Sequence, residues 1–404
     1  MSPRRPTLLM PLFLPNVEVA FRGWMGGAIY VQNLATVLSQ LPEGERPRIV
    51  ILTDGGLDAP LPRMLFNQAA VEGIFEPNGK PLAVKPSLAP DILDASGQPD
   101  LARITVLFDQ AAAIFPVLRS MFNTNKALHW IPDFQHRHLP EMFDAEEMEQ
   151  RNTEFRIMTH SRQFVLVSSE AGRQDLKRFY PTATARTYIW HFTSGLDSSA
   201  VAPQDPRPRF ELPESFLFAP NQFWKHKDHL TLFRAITLLR DRGIPAVVAC
   251  TGRDIDVRHP GYADELRSFI VDNRLQDRVK LLGTVAPDIL LNLFRYAAAV
   301  VQPSLFEGWS TVVEDAKALG RPLFLTNLPV HREQAADAGP LADFHFYPPG
   351  DAVALADAIA SEWPNLTPGP DPIAEAGAEA ARGLRARASA QAFVDIMRDM
   401  QEQG

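Results

Sequence analysis

The sequence has little cysteine, no long apolar run and no excess of positive charge. Cys250 is the one cysteine among 404 residues, so an intrachain disulfide framework and a cysteine-based zinc site are excluded. This usage fits a reducing cytosol. Nowhere do about 18 apolar residues run together, which predicts that no segment of this sequence spans a membrane. The formal net charge of −8 argues against general binding to nucleic acids or to anionic membranes.

The N-terminus places twin arginines, Arg4 and Arg5, before an apolar run, as export signals do. Pro11 and Pro15 interrupt that run, and no small-residue cleavage site follows it. We therefore interpret Leu8 to Leu14 as a first buried strand. The expected location is the cytoplasm, including the inner face of the cell membrane.

The chain is long and apolar enough for two hydrophobic cores, with 46% hydrophobic and 22% charged residues. A proline-dense stretch at 203–213 is unsuited to a helix or an inner strand, so we place the domain boundary near it. The predicted division is an acceptor-side domain at 1–197, a nucleotide-sugar-binding domain at 198–385, and a C-terminal helix at 386–404 that packs back on the body.

Strand-like apolar runs alternate with amphipathic helical stretches on both sides of this boundary. In the first half, 104–108 is typical of a strand and 110–122 of a helix; in the second half, 216–219 and 297–302 are typical of strands. Such repetition predicts parallel sheets, whose ligands lie at the carboxyl ends of the strands. The predicted fold class is α/β with two Rossmann-like domains.

The stretch at 303–322 combines a carboxylate, a glycine and a helix start directly after a buried strand. Ser310 or Thr311 is the expected N-cap. Backbone N–H groups and the helix dipole there favour an anion, while Glu307 accepts hydrogen bonds from hydroxyls. The segment therefore predicts a binding site for a phosphorylated sugar, with the sugar at Glu307 and the phosphate at the backbone amides that begin at Gly308. A surface helix start with acids placed for its dipole is the alternative.

Gly26 and Gly27 follow the first strand and open a helix. Because glycine has no Cβ, such a turn lets the backbone approach a diphosphate closely, although it also serves backbone geometry alone. The spacing from Gly23 to Gly26 does not match the dinucleotide-binding fingerprint. The sequence therefore gives little support to an enzyme that transfers hydride with a dinucleotide cofactor.

A basic loop at 221–229 leaves the first strand of the second half. Lys225 and Lys227 there are candidates to neutralise the charge of a departing diphosphate. A solvated basic loop ahead of a helix is the alternative, but the position at the carboxyl end of a strand favours function.

The segment at 128–141 gathers Asp133 and His136 among further histidines. Its spacing matches no zinc signature, so we interpret the two residues as partners for sugar hydroxyls or for the acceptor, with capping and packing of the histidines as the alternative. Asp254 and Asp256 resemble the D-x-D that holds a divalent metal in other sugar-transfer enzymes. Their position in a loop after Thr251-Gly-Arg favours a solvated turn instead.

Together these motifs resemble those of the retaining glycosyltransferases of the GT-B fold, family 4, over nearly the whole chain. That family carries Gly-Gly after strand one, basic residues after the first strand of the second domain, and an E-x7-E motif in a P-S-x-x-E-G setting. The corresponding residues here are Gly26-Gly27, Lys225 and Lys227, and Pro303-Ser304 with Glu307-Gly308-Trp309.

This sequence departs from the family pattern at three points. Asp315 stands at the second acidic position, with Glu314 one residue early. The usual arginine falls on Gln222, so we assign its charge to Lys225. The usual His-Asp pair appears as Pro-Asp at Asp133, which makes His136 the nearest candidate for the histidine.

The resemblance implies two domains facing each other across a cleft, and roles for individual residues. Glu307, Asp133 and His136 would be catalytic. Gly252 and Asp315 would contact the nucleoside side of the donor. The full implied donor set is Gly26, Gly27, Asn221, Lys225, Lys227, Gly252, Gly308, Trp309, Ser310, Thr311 and Asp315.

The resemblance also implies a hexosyltransferase, mannosyltransferases included, that moves a sugar with retention from a GDP- or UDP-linked donor to a polysaccharide, lipopolysaccharide or glycolipid. No metal cofactor and no nucleic acid partner are expected, because lysines and a helix dipole take the metal's place; peripheral contact with a membrane stays open. The alternatives are a GT-B isomerase or phosphorylase and a non-catalytic module that binds sugar nucleotides.

Overall fold

The computed structural model describes residues 5–12, 25–56, 60–118, 124–160, 164–196, 201–338 and 343–403, with Met25 in its backbone only. The chain divides into two compact units. The first contains residues 1–134, 149–195 and 384–404, and the second contains 135–148 and 196–383. The polypeptide therefore passes from one unit to the other near Gly195, and the segment 135–148 is grouped with the second unit although its flanks belong to the first.

The first unit is built on a sheet that has eight strands in the described ranges, in the order β4-β3-β2-β1-β5-β6-β7-β8. All neighbours are parallel except β3 and β4, which are antiparallel. The strands are β1 Thr7–Pro11, β2 Arg48–Leu52, β3 Val71–Phe75, β4 Pro81–Val84, β5 Ala113–Val117, β6 Ala127–Ile131, β7 Phe164–Val167 and β8 Arg186–Ile189. The helices in this half of the chain are α1 Met25–Ser39, α2 Pro60–Phe66, α3 Ala89–Ile92, α4 Leu101–Asp109, α5 Gln135–His138, α6 Ala145–His160 and α7 Glu170–Phe179.

Two assignments in the first unit are reversed relative to the sequence prediction. Residues 104–108, expected as a strand, lie in helix α4, because Asp100 caps it by accepting from the amides of Ala102 and Arg103. Residues 110–122, expected as a helix, contain strand β5, which pairs with β1 and β6. Both runs are apolar, and the helical period of α4 shows in the burial of Ile104 and Leu107 beside an exposed Val106.

The second unit is built on a sheet with six parallel strands among the described residues, in the order β11-β10-β9-β12-β13-β14. The strands are β9 Leu217–Pro220, β10 Val248–Thr251, β11 Val279–Gly283, β12 Ala299–Gln302, β13 Leu323–Thr326 and β14 Phe344–Tyr347. The helices of this half are α8 Arg207–Phe210, α9 His229–Asp241, α10 Tyr262–Asp272, α11 Pro287–Tyr296, α12 Thr311–Ala318, α13 Pro329–Ala336, α14 Ala352–Glu362 and α15 Pro372–Gln403. The strand order reverses between β9 and β12, which is the switch point where doubly wound sheets bind ligands.

Both faces of the second sheet are covered by apolar side chains. Leu217 and Val301 belong to one hydrophobic cluster, whereas their chain neighbours Phe218 and Val300 belong to another. Because successive side chains of a strand point to opposite faces, these strands are nearly continuous apolar runs. The predicted α/β class with parallel sheets is confirmed in both units.

Helix α15 begins at Pro372, ahead of the predicted start at 386, and packs on the first unit through its second half. Phe393 lies 5.4 Å from the rings of both Phe115 and Trp190. The Trp190 indole Nε1 donates to the Ser389 carbonyl at 2.9 Å. Within the described residues, no helix combines the length and the apolar character needed to cross a bilayer.

Candidate functional site

Two loops meet at the switch point of the second sheet. One follows β9 and runs from Asn221 to Asp228; the other follows β12 and runs from Pro303 to Ser310. Because β9 and β12 are parallel neighbours, both loops leave the same edge of the sheet. The amide of Leu305 donates to the carbonyl of His226 at 2.8 Å, so the loops are joined through their backbones.

Lys227 and Glu307, one from each loop, form an ion pair. The Lys227 Nζ donates to Glu307 Oε1 at 2.5 Å, and their side chains are 16% and 9% exposed. Burial alone would raise the pKa of Glu307, but the Lys227 ammonium and a hydrogen bond from Ser304 hold that pKa at about 2. The carboxylate is therefore ionised near neutral pH and acts only as an acceptor.

Glu307 is also held by Gln302, the last residue of β12, which is fully buried. Gln302 Nε2 donates to Glu307 Oε1 at 2.7 Å and to Ser304 Oγ at 3.0 Å. Asn221 Nδ2 donates to Gln302 Oε1 at 2.8 Å. Gln302 is not among the residues predicted from the sequence; the available signal was a polar side chain that ends a buried strand directly before Pro303.

Lys225 lies on the same loop as Lys227, but its side chain is exposed. Its backbone amide donates to Asp256 Oδ2 at 2.9 Å, while Asp256 Oδ1 accepts from the amides of Arg258 and His259 at 3.0 and 3.3 Å. Asp256 is buried, so the expectation of a solvated turn is wrong for this residue, which anchors two loops. Asp254 pairs with Arg267 on the surface.

Across the described ranges, no three His, Cys, Asp or Glu side chains lie together as metal ligands do.

His226 and His331 are both buried in the second unit, and burial lowers the pKa of each. The Nδ1 of His331 lies 2.8 Å from the carbonyl oxygen of Thr326, whose hydroxyl donates to the Ser304 carbonyl at 2.7 Å. Thr326 therefore supports the loop after β12, and His331 contacts Thr326.

Helix α12 starts at the end of that loop, and Ser310 rather than Thr311 is its N-cap. Ser310 Oγ accepts from the amide of Val313 at 3.4 Å. The amide of Ser310 itself donates to Gln334 Oε1 at 3.3 Å. This amide, which the sequence assigned to a diphosphate, is thus already hydrogen-bonded within the protein. Gly308 and Thr311 are half-buried on either side of it.

The first turns of α12 distinguish its two acids. Glu314 is buried, and its Oε1 accepts from Lys317 Nζ and Gln334 Nε2, both at 2.9 Å. Asp315 is half-buried, and Trp309 beside the helix start is buried. Glu314 therefore stabilises the packing of α12, and this favours Asp315 as the acid that faces a ligand.

Gly252, at the end of β10, closely approaches the loop after β9. Its φ is +145°, and a Cβ built there would lie 2.3 Å from the carbonyl oxygen of Asn221. Beside it is a cavity of about 390 Å³, lined in part by Phe223, Leu281 and Thr284. The glycine thus brings β10 against the first site loop, at the edge of a space large enough for a small ligand.

Replacing Gly252 with alanine is expected to lower the free energy of unfolding by about 3 kcal/mol, because strain at this φ adds to overlap with backbone atoms. A matched control is Gly243→Ala, since Gly243 also has a positive φ, +76°, but a Cβ there would meet nothing within 4 Å. For Gly243→Ala we expect the free energy of unfolding to fall by about 1 kcal/mol. Urea unfolding of both variants measures the difference, and equal losses would contradict the close approach.

The remaining predicted residues lie elsewhere. Gly26 and Gly27 are in the first turn of α1 in the first unit, and the preceding residues 13–24 lie outside the described ranges. Asp133 is half-buried in the same unit, with its Oδ1 at 3.6 Å from Arg151 Nη1. His136 is buried in α5, which belongs to the second unit. Near it, the ring of His138 lies 4.9 Å from that of Phe306.

Comparison with known proteins gives a family match in the second unit. The model of the family described as glycosyl transferases group 1 matches residues 214–363. The O-antigen chain mannosyltransferase RfbU of Salmonella typhimurium is 28% identical over 120 residues, which cover 30% of this chain and 32% of that protein. The match thus spans about a third of the length of this curated relative.

Solved structures resemble the chain over its whole length. A glycosyltransferase from Rickettsia africae has a TM-score of 0.65 at 15% identity, covering 99% of this chain and 100% of its own. Sucrose-phosphate synthase from Thermosynechococcus elongatus has a TM-score of 0.63 at 18% identity, with the same coverage. Anabaena HepE, solved with UDP and glucose, has a TM-score of 0.58 at 17% identity and covers 99% of both chains. At these identities the likeness shows the fold alone.

Proposed function

From a chain that has the GT-B fold and whose residues 214–363 match the family model of glycosyl transferases group 1, we infer a retaining glycosyltransferase of family 4 that uses a nucleoside-diphosphate sugar. The observation that carries this proposal is the contact of Lys227 with Glu307 at the switch point of the second sheet. A buried carboxylate that can only accept hydrogen bonds suits sugar hydroxyls, and a cation beside it suits a diphosphate.

The donor is proposed to lie along the two loops. Glu307 accepts hydrogen bonds from the sugar, and Lys227, whose Nζ is 2.5 Å from that carboxylate, faces the adjoining phosphate. The exposed Lys225 adds positive charge, and the amides of Gly308 and Thr311 lie at the start of α12, where the helix dipole favours an anion.

The nucleoside is proposed to extend from these loops toward Gly252, whose cavity of about 390 Å³ supplies room at the ends of β10 and β11. Asp315 is assigned to the ribose, because Glu314 is occupied by Lys317 and Gln334. Trp309 and Asn221 complete the donor set as residues that shape the two loops. Gly26 and Gly27 stay in the proposed donor set on the strength of the motif alone.

The proposed reaction breaks the bond between the anomeric carbon and the diphosphate oxygen and forms a bond from that carbon to the acceptor oxygen on the same face. The acceptor proton passes to the departing phosphate oxygen, so the protein needs no dedicated nucleophile. Lys227 stabilises the negative charge that grows on the leaving group. The proposal assigns no step to a metal ion.

Two donors are the first to test. Anabaena HepE was solved with UDP and glucose, and the Salmonella relative is named an O-antigen chain mannosyltransferase. We therefore propose a hexose linked to UDP or GDP, mannose included, and a polysaccharide, lipopolysaccharide or glycolipid acceptor reached by Asp133 and His136. The proposed place of action is the cytoplasm, at the inner face of the cell membrane where the acceptor is lipid-linked.

Release of nucleoside diphosphate from UDP-glucose and GDP-mannose, with a lipid or glycan extract as acceptor, tests this function. We expect Glu307→Ala to lower the rate by at least about a hundredfold, because it removes a contact made to the reacting sugar. Glu265→Ala, at an exposed acid of α10, is the matched control and is expected to match wild type.

Four outcomes would contradict the proposal. Donor conversion without any acceptor would indicate an isomerase, and a requirement for inorganic phosphate would indicate a phosphorylase. Binding of nucleotide with no release from any sugar nucleotide would indicate a binding module. Full activity of the Glu307→Ala variant would contradict the assignment of this site, whereas the description of the fold would stand.

A further inference from the structure

Gln302 occupies a central place in the hydrogen bonding of the site. It ends β12 with a fully buried side chain, and all of its amide hydrogen-bonding groups are engaged. Its Nε2 donates to Glu307 and Ser304, and its Oε1 accepts from Asn221. The amide therefore connects the loop after β9 to the loop after β12 independently of the Lys227 ion pair.

We propose that Gln302 is a positioning residue for the donor sugar, because it fixes the direction in which the Glu307 carboxylate faces the sugar hydroxyls. This inference rests on the proposed function of the site. Gln302 acts through Glu307 and makes no contact with the donor itself. Its substitution should therefore weaken recognition of the sugar and leave recognition of the nucleoside diphosphate unchanged.

The direction of the amide follows from the chemistry of its neighbours. An ionised carboxylate can only accept, so Nε2 must face Glu307 and Oε1 must face Asn221. Asn221 in turn presents its amide nitrogen, at 2.8 Å. One orientation of both amides satisfies every group, and a buried network that is fully satisfied holds its members in one arrangement.

The two donors to Glu307 use the same oxygen. Lys227 Nζ and Gln302 Nε2 lie 2.5 and 2.7 Å from Oε1. An ion pair alone leaves a carboxylate free to rotate about its last bond, whereas a second donor from another direction fixes its plane. Neither Lys227 nor Gln302 binds Oε2. In the proposed site this second oxygen accepts from a sugar hydroxyl.

Calorimetry with matched probes tests this role. The probes are UDP with UDP-glucose, and GDP with GDP-mannose, so that each pair differs by the sugar. For Gln302→Met we expect an unchanged Kd for the diphosphate and a Kd for the sugar nucleotide raised about tenfold, because one charge-assisted hydrogen bond is lost. Glu307→Ala should raise the same Kd further, and adding Gln302→Met to it should change nothing more.

Two further variants control for folding. Asn292 is a buried amide of α11 that accepts from the amide of Gln204 at 3.1 Å and donates to the Asp288 carbonyl at 3.0 Å, away from both loops. Asn292→Leu should reduce stability with no change in either Kd. Gln302→Glu keeps an acceptor for Asn221 but turns a carboxylate toward Glu307. It should weaken sugar-nucleotide binding more than Gln302→Met does, and it tests the role if Gln302→Met fails to fold.

The outcomes separate this inference from the proposed function. Equal weakening of diphosphate and sugar nucleotide in Gln302→Met, or an additive loss in the double variant, would overturn the positioning role while Glu307 keeps its assignment. A Glu307→Ala protein that binds the sugar nucleotide as wild type does would overturn the proposed site itself. Binding of none of the four probes to wild type would overturn both.

Discussion

A Lys227→Met variant is expected to lose about a thousandfold in kcat/KM for the sugar-nucleotide donor. The substitution removes the cation proposed to stabilise the departing diphosphate. It also removes the partner of Glu307, whose carboxylate is 2.5 Å from the Lys227 Nζ. Without that ammonium, burial acts to raise the pKa of Glu307, and the acceptor for the sugar hydroxyls is weakened as well.

A second substitution separates the two effects of Lys227→Met. Removing one partner of a buried ion pair costs about 3 kcal/mol of stability, because the other charge stays buried without a counter-ion. Adding Glu307→Gln removes that charge, so the double variant should recover most of the lost stability and none of the lost activity. Urea midpoints and donor kinetics on the same preparations measure both quantities.

Lys225→Met provides the comparison within the same loop. The Lys225 side chain is exposed, so its charge is screened by salt, and we expect a loss of less than about tenfold that shrinks further at high ionic strength. Losses of the same size for Lys225→Met and Lys227→Met would mean that the loop acts through its total charge. The specific role of the ion pair would then be rejected.

The meeting of Lys227 and Glu307 was predictable from the sequence, although 80 positions separate them. Each residue follows an apolar run short enough to be a parallel strand, and the ends of parallel strands share one edge of a sheet. The order of the strands was not needed for that inference. It does explain why these two loops, among all those at that edge, are the neighbours.

The parts of the site that escaped prediction depend on tertiary contacts. Gln302 ends a strand and Asp256 lies in a loop, and neither belongs to a motif; their importance comes from groups that approach from distant segments. The reversed assignments of α4 and β5 have a related cause. Apolar runs of this length fit a helix or a strand equally well, and packing decides between them.

Buried histidines make the second unit sensitive to acid. His226 and His229 are both buried, and burial together with the nearby Lys227 lowers the pKa of each to about 3, from an ordinary 6.5. In such a case the unfolded chain takes up protons at a pH where the folded chain does not. Their contribution to stability is therefore complete above pH 6.5 and is lost as the pH falls toward 3.

We accordingly expect the free energy of unfolding to fall by about 4 kcal/mol between pH 7 and pH 5 from these two residues, with about half from each. His229→Phe isolates one of them. The His229 ring centroid lies 4.8 Å from that of Phe223 and 6.2 Å from that of Phe233. Neither nitrogen of His229 has a hydrogen-bond partner within the described residues. A phenyl ring therefore fits the same apolar surroundings without a group to protonate.

Urea unfolding at pH 7, 6 and 5 measures the difference. Between pH 7 and pH 5 the free energy of unfolding should fall by about 2 kcal/mol in His229→Phe and by about 4 kcal/mol in wild type, because the variant lacks one of the two titrating groups. Thr231→Val, at a buried neighbour that does not titrate, is the control and should shift the free energy equally at each pH. If His229→Phe and wild type lose stability in parallel, His229 is protonated in the folded protein, and its buried side chain must then have found a partner for the charge.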